Sequence, residues 1–337
     1  MQKVKFVLLL TLISIIGCSS DPLLVDVSAV EHEMSFERLD QEMLDVKNVT
    51  EMNELNASMI ERGGELYEFY VSGMLMSGSV YDDSVANYLM LFRNDPIIED
   101  VFVDIDSTFG NTALLEGEIL DLFKHLKYHL PKKPMPNQVI FYNSAFNAGV
   151  TSTGTNIGIG LDMYLGENNN IVQRLGFPLY MKAKMDKDYL LIDVAHSWLI
   201  TNVLPLSKGE TFLEEMIYYG KLRYAIEAGL PELEDSRIMR YTQEEFDFCM
   251  ASEYDFWQYL VDMDWIYTTD MKVKMRFFNE APETVGIEGS PGRVGQFIGW
   301  RMIKNYAELN PDVTFADILF STPDNKILKA YKPQPNE

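Results

Sequence analysis

QVIFY at Gln138–Tyr142 and TNIGIGL at 155–161 are the two stretches that decide the fold class. Both are rich in β-branched or aromatic residues, and a polar, glycine-containing connection separates them, so they read as strands of a small antiparallel or mixed sheet. A brief alternation at 34–40 adds a strand where the folded body begins. Nearly everything else has helical spacing. Upstream, Met52, Leu55, Met59, Leu66, Phe69 and Gly73 recur along 50–74, with a break or kink at Gly63-Gly64. Helices follow at 84–93, 97–109 and 112–130, the last carrying Leu115, Ile119, Leu122, Phe123 and Leu126 on one face and stopping at Pro131. Downstream, the pattern predicts helices at 171–185, 187–203, 211–228, 242–267 and 291–309, with short ones near Phe315 and Lys326. Thr242 and Glu245 form a capping box. With no internal repeat and no long linker, the expectation is an α+β fold, a helix-dominated single domain with a small central β-sheet. Its 47% hydrophobic and 12% aromatic residues supply the core.

The N-terminus reads as an export signal. Lys3 and Lys5 precede an apolar run at 6–16, too short to span a bilayer, and Gly17 stands directly before Cys18. This is a leader at 1–17 ending in a lipobox, with Cys18 the lipidation site, a tether over 18–33 and the body over 34–337. Ser19 is not the aspartate that retains lipoproteins at the inner membrane, which favours the outer membrane, facing the periplasm. Cys249 is then the one cysteine left and has no intramolecular disulfide partner; its neighbours Phe246, Phe248 and Trp257 point to buried packing. The net charge is −23, and loss of Lys3 and Lys5 with the leader takes it to −25. Such a chain repels nucleic acid and anionic headgroups, so its membrane partner is engaged through the N-terminal lipid.

No familiar catalytic motif is present. A zinc helix would read His-Glu-x-x-His. His125 and His129 have the spacing of its two imidazoles, but Leu126 replaces the glutamate and Lys124 and Lys127 flank the pair, so a partly exposed helix face is expected. His196, in DVAHSW at 193–198, reads as a hydrogen-bonded core histidine. Asp104, Asp106 and Gly110 miss the calcium-loop register, and Leu115 stands where its bidentate glutamate belongs. Gly154, Gly158 and Gly160 fit a turn and a crowded strand rather than a nucleotide loop, and no Gly-x-Ser-x-Gly elbow occurs. Adjacent carboxylates such as Asp262 with Asp264, or Glu214 with Glu215, are expected by chance among 51 acidic residues. No cofactor is implied.

Several segments together resemble the gliding-motility lipoprotein family GldB of the Bacteroidetes. They are ERLD at 37–40, IGIGLDMYLG at 157–166, FLEEMIYYGK at 212–221, Tyr241-Thr, Trp257, SPGRVGQFIGWRMIKNY at 290–306 and YKP at 331–333. The resemblance implies a role in surface gliding and in the type IX secretion on which gliding depends, with other envelope proteins as partners. The motif order is also similar to a zinc-peptidase scaffold of the gluzincin kind, in which a His-Glu-x-x-His helix precedes a helix bearing the third ligand. Here the 187–203 helix offers only His196, and the next offers Glu214 and Glu215, so the resemblance implies a zinc-less scaffold kept as a binding surface, not an enzyme. The alternative is an envelope metallohydrolase with a nonstandard site. The expected cleft or partner-binding residues are His196, Glu214, Glu215, Arg293, Gly295, Gly299 and Trp300. Pro291 is expected at the first helical position, Gly295 and Gly299 on one helix face, and Arg293 near a helix start where it binds Glu214, Glu215 or a partner's carboxylate.

Overall fold

Alternation along QVIFY explains why all five of its residues are buried. Val139 and Phe141 face one apolar cluster while Ile140 and Tyr142 face another, so the sheet is sandwiched between helical layers. A computed structural model describes residues 21–205 and 209–335. The expected leader and Cys18 lie outside these residues. The sheet holds β1 (Ser35–Arg38), β2 (Gln138–Tyr142), β3 (Val150–Ser152) and β4 (Asn156–Gly160) in the order β1-β2-β4-β3. β1, β2 and β4 run parallel and β3 antiparallel, so the sheet is mixed, with β3 an addition to the expected strands.

Five helices connect β1 to β2: α1 (Leu39–Asp45), α2 (Val49–Phe69), α3 (Val85–Arg93), α4 (Pro96–Phe109) and α5 (Ala113–His129). The first three cover Ile140 and Tyr142, whereas α5 and most of the apolar face of α4 cover Val139 and Phe141. α2 kinks at Gly64, as its double glycine suggests. ERLD is a structural clasp. Glu37 pairs with Arg62 and accepts from Gln138 Nε2 at 2.6 Å, while Arg38 forks onto Asp40 at 2.9 and 2.6 Å and donates to the Phe109 carbonyl at 2.8 Å. It ties β1 to α2, β2 and the end of α4. Gly158 is a crowded strand position, as expected: a Cβ there would lie 2.6 Å from the Tyr142 ring.

After β4 come α6 (Asn170–Arg174), α7 (Leu179–Lys182) and α8 (Leu190–Asn202), then α9 (Phe212–Gly229), α10 (Asp235–Ile238), α11 (Gln243–Ala251), α12 (Glu253–Asp262), α13 (Met271–Phe278), α14 (Val294–Leu309), α15 (Phe315–Phe320) and α16 (Asp324–Ala330). α9 joins the two halves: Leu222, Ala225 and Ile226 pack into the sheet's core, and Phe212, Met216 and Tyr224 into a C-terminal core shared with α14.

Several boundaries differ from the sequence reading. The expected 171–185 helix is two short ones, because Gly176 and Pro178 break it; the 242–267 helix breaks at Ser252, although its capping box is present. Over its described part the expected tether at 18–33 is packed on the body, with Leu23 and Val27 buried. His125 faces inward, buried, with Nδ1 3.0 Å from the Asp121 carbonyl oxygen, whereas His129 is half-buried against Phe315 in a tilted ring contact, so the partly exposed face expected holds at His129 and not at His125. Cys249 is buried, as its neighbours suggested, and burial pushes its thiol well above the usual range.

Candidate functional site

The site is assembled from the loop after β2 outward. Asp162, in IGIGLDMYLG, is wholly buried and accepts from the Ser144 amide at 2.7 Å, the Ser144 hydroxyl at 2.8 Å and the Phe146 amide. Burial raises its carboxyl to about 6 against the pull of these donors. The donors hold Ala145 and Phe146 in left-handed backbone, at φ 53° and 59°. Phe146 thereby becomes one wall of a cleft. Two residues beyond Asp162, the Tyr164 hydroxyl donates to Asp193 at 3.0 Å, and Asp193 in turn pairs with Arg240.

This cleft has a volume of about 620 Å³. Its apolar walls include Phe146, Met163, Phe177, Met181 and Ile200, and its polar lining includes Lys184, Asp193, His196, Arg240 and Glu280. Three of these come from one stretch of α8, since Asp193, His196 and Ile200 lie three and four residues apart and share a face. His196 has no hydrogen-bond partner among the described residues, contrary to the sequence reading. Burial, and then the charges of Arg223 and Arg293, push its imidazole down to about 4, so it is neutral at physiological pH.

Behind His196 lies an unusual guanidinium. Arg223, on α9, is buried and donates to Gln296 Oε1 at 2.9 and 3.3 Å and to the Ile238 carbonyl at 3.0 Å; no carboxylate is among these partners. Burial and the neighbouring Arg293 lower its pKa. Gln296 is held in place by donating to the Phe278 carbonyl at 2.8 Å. Arg293 sits 3.8 Å from Glu280 and 3.4 Å from the Arg240 carbonyl. Among the described residues, six non-glycine residues have left-handed backbone, and four of them, Ala145, Phe146, Arg240 and Arg293, lie in or beside this cleft. Each costs on the order of 1 kcal/mol, and such strain clusters where a site fixes side-chain direction.

Of the residues expected at the site, His196 and Arg293 come together and the others do not. The helix begins at Val294 rather than Pro291, because Arg293 is left-handed at its N-cap. Glu214 closes a capping box with Thr211, borders a separate groove, and does not meet Arg293. Glu215 binds Lys274 at 2.9 Å. Gly295 lies against the Phe278 ring, Gly299 against the backbone of α9, and Trp300 is fully buried with its Nε1 donating to Glu227 at 2.8 Å. These three are packing residues. Asp162, Asp193, Arg223, Arg240 and Glu280 were not singled out from the sequence. A usable signal existed for Arg223: a charged residue in the apolar run of α9, at a position facing the core.

Other segments behind the resemblance support the same region. The Tyr241 hydroxyl donates to the Gly292 carbonyl at 2.7 Å, next to Arg293, and Trp257 packs edge-on against Tyr331 with ring centroids 5.1 Å apart. Among the described residues, no group of three or more His, Cys, Asp or Glu side chains is placed to hold a metal ion.

Fold and site together define a helix-dominated α+β protein whose long motifs support a ligand-sized cleft, with His196 and Arg293 together and Glu214 and Glu215 away from them. The chain belongs to the family of gliding motility protein GldB, a lipoprotein family, which matches residues 20–333. Every segment that carried the resemblance lies within that match. Searches of curated proteins and of solved structures return no match. Membership makes this a membrane-anchored protein of the cell envelope. Among the described residues no helix is long and apolar enough to cross a membrane.

Proposed function

We propose that this protein is held by a lipid on Cys18 and supports gliding, together with the associated type IX secretion machinery, through contacts with other envelope proteins and without catalysis. The family match over residues 20–333 carries this reading. Its non-catalytic part is supported by the use made of the acidic side chains: Glu214 caps a helix and Glu215 neutralises Lys274, so neither stands beside His196 as a base. Nucleic acid is disfavoured as a partner by the charge of −23. The outer membrane, facing the periplasm, is the favoured location on the strength of Ser19, in a bacterium of the Bacteroidetes.

The anchor is tested by replacing Cys18. In a gliding strain whose own copy is deleted, Cys18→Ala is expected to take up no palmitate analogue, to accumulate as unprocessed or mislocalised protein and to leave the cells non-gliding. Equal label in variant and wild type, or normal gliding by cells carrying unlabelled protein, contradicts the proposal.

A further inference from the structure

We propose that the cleft binds a small amphiphilic monocarboxylate, its anionic head beside Arg240 and His196 and its apolar body along Phe146, Met163 and Phe177. The case begins with the charges around the floor. Four cations gather there in a chain of net charge −23: Lys184 and Arg240 in the lining, Arg223 and Arg293 behind it. The carboxylates facing them are three. Glu245 lies 3.8 Å from Lys184, Asp193 pairs with Arg240, and Glu280 lies 3.8 Å from Arg293. With His196 neutral, these cations and carboxylates carry one positive charge in excess; Asp162, behind the Phe146 wall, is already held by the Ser144 and Phe146 donors. The excess traces to Arg223, whose hydrogen-bond partners are an amide and a carbonyl. A buried guanidinium hydrogen-bonded only to neutral groups, and sharing the nearby Glu280 with Arg293, is costly, and a bound anion offsets that cost.

A second observation points the same way. Arg240 lines the cleft, yet its Nε is buried and has no hydrogen-bond partner among the described residues. A guanidinium fork suits a planar two-oxygen head. An excess of one charge matches a carboxylate rather than a phosphate dianion, which would leave the floor negative. The walls then ask for an apolar body, since Phe146, Met163, Phe177, Met181 and Ile200 line the same cleft. Glu280 is the exposed carboxylate that competes with such a head for Arg293 and Arg240.

The test uses the full-length protein in detergent with isotope-labelled histidine. Only four histidines exist, so the His196 ring signal is assignable by comparison with His196→Gln. Phenylbutyrate is expected to move that signal with half-saturation at about 1 mM or below, whereas phenylbutanol and inorganic phosphate leave it in place. Arg240→Gln should weaken the response about tenfold, the loss of one charge-assisted contact. Glu280→Gln alters an exposed side chain and should bind about threefold more tightly, since it removes the competing charge. If Arg240→Gln does not fold, the Glu280→Gln result decides. An unmoved His196 signal, an equal response to the alcohol or to phosphate, or a Glu280→Gln variant that binds no better overturns the proposal.

Discussion

Gly299→Ala is expected to lower the stability of the protein by about 3 kcal/mol, the upper part of the usual range for overpacking a core. A methyl group at this position would sit 1.9 Å from the Met216 carbonyl oxygen and 3.1 Å from the Gly220 amide nitrogen. On the facing helix, a methyl at Gly220 would lie 2.2 Å from the Gly299 carbonyl oxygen. All of these obstacles are backbone, so no side-chain rotation relieves them. α9 and α14 must separate, and their separation loosens the fully buried Trp300 and Phe297. Gly117, in α5, is the internal control. Nothing lies within 4 Å of a Cβ built there, so alanine should stabilise by about 0.5 to 1 kcal/mol through helix propensity and reduced unfolded-state entropy. Urea denaturation of the three proteins gives the comparison; a loss below about 1 kcal/mol for Gly299→Ala would show that the two helices are not in tight backbone contact.

Glu227→Ala is expected to cost a similar amount, about 3 kcal/mol, by a different mechanism. Glu227 is buried near the same helix pair. Its carboxylate accepts from Trp300 Nε1 at 2.8 Å and from Lys304 Nζ at 2.6 Å. Burial raises the Glu227 carboxyl while Lys304 and Trp300 favour its charged form, so the pair is held by geometry in a place that disfavours isolated charge. Alanine leaves the indole N–H without an acceptor and the Lys304 ammonium with Asp235, 3.5 Å away, and the Trp300 ring face. Glu227→Gln keeps an acceptor for Trp300 and should lose less than half as much. Denaturation monitored by tryptophan fluorescence checks the order, and equal losses for the two variants would contradict the assigned roles.

The fold was legible to the extent that local pattern controls it. QVIFY and NIGIG gave the sheet, and the long helices followed from their apolar spacing and, at Thr242, from a capping box. β3 was not legible because a stretch of only three residues, Val150 to Ser152, is too short to show an alternation and pairs only once β4 is present. α13 escaped because Met271–Phe278 is short and carries Lys272, Lys274 and Arg276, of which Lys274 is buried through Glu215 and the Gly209 and Glu210 carbonyls. At the site, Arg293 was legible as part of a long motif and His196 as the one histidine of the 187–203 helix. Most of their neighbours were not, since Arg223, Arg240 and Glu280 come from three separate segments and meet His196 and its helix neighbour Asp193 only in the tertiary fold. The same absence of local information placed Glu214 and Glu215 wrongly. Sequence order suggested a histidine helix followed by a carboxylate helix, but the register of α9 turns Arg223 toward His196 while Glu214 caps the helix start and Glu215 meets Lys274.

The central claim is that His196 belongs to a binding cleft and not to a metal-dependent hydrolase. Metal content of the purified full-length protein, measured beside His196→Gln, tests it most directly. The expected result is less than about a tenth of an equivalent of any transition metal in both proteins, because His196 lacks the two further protein ligands of a catalytic zinc. One equivalent of zinc in the wild type, lost in His196→Gln, would contradict the account.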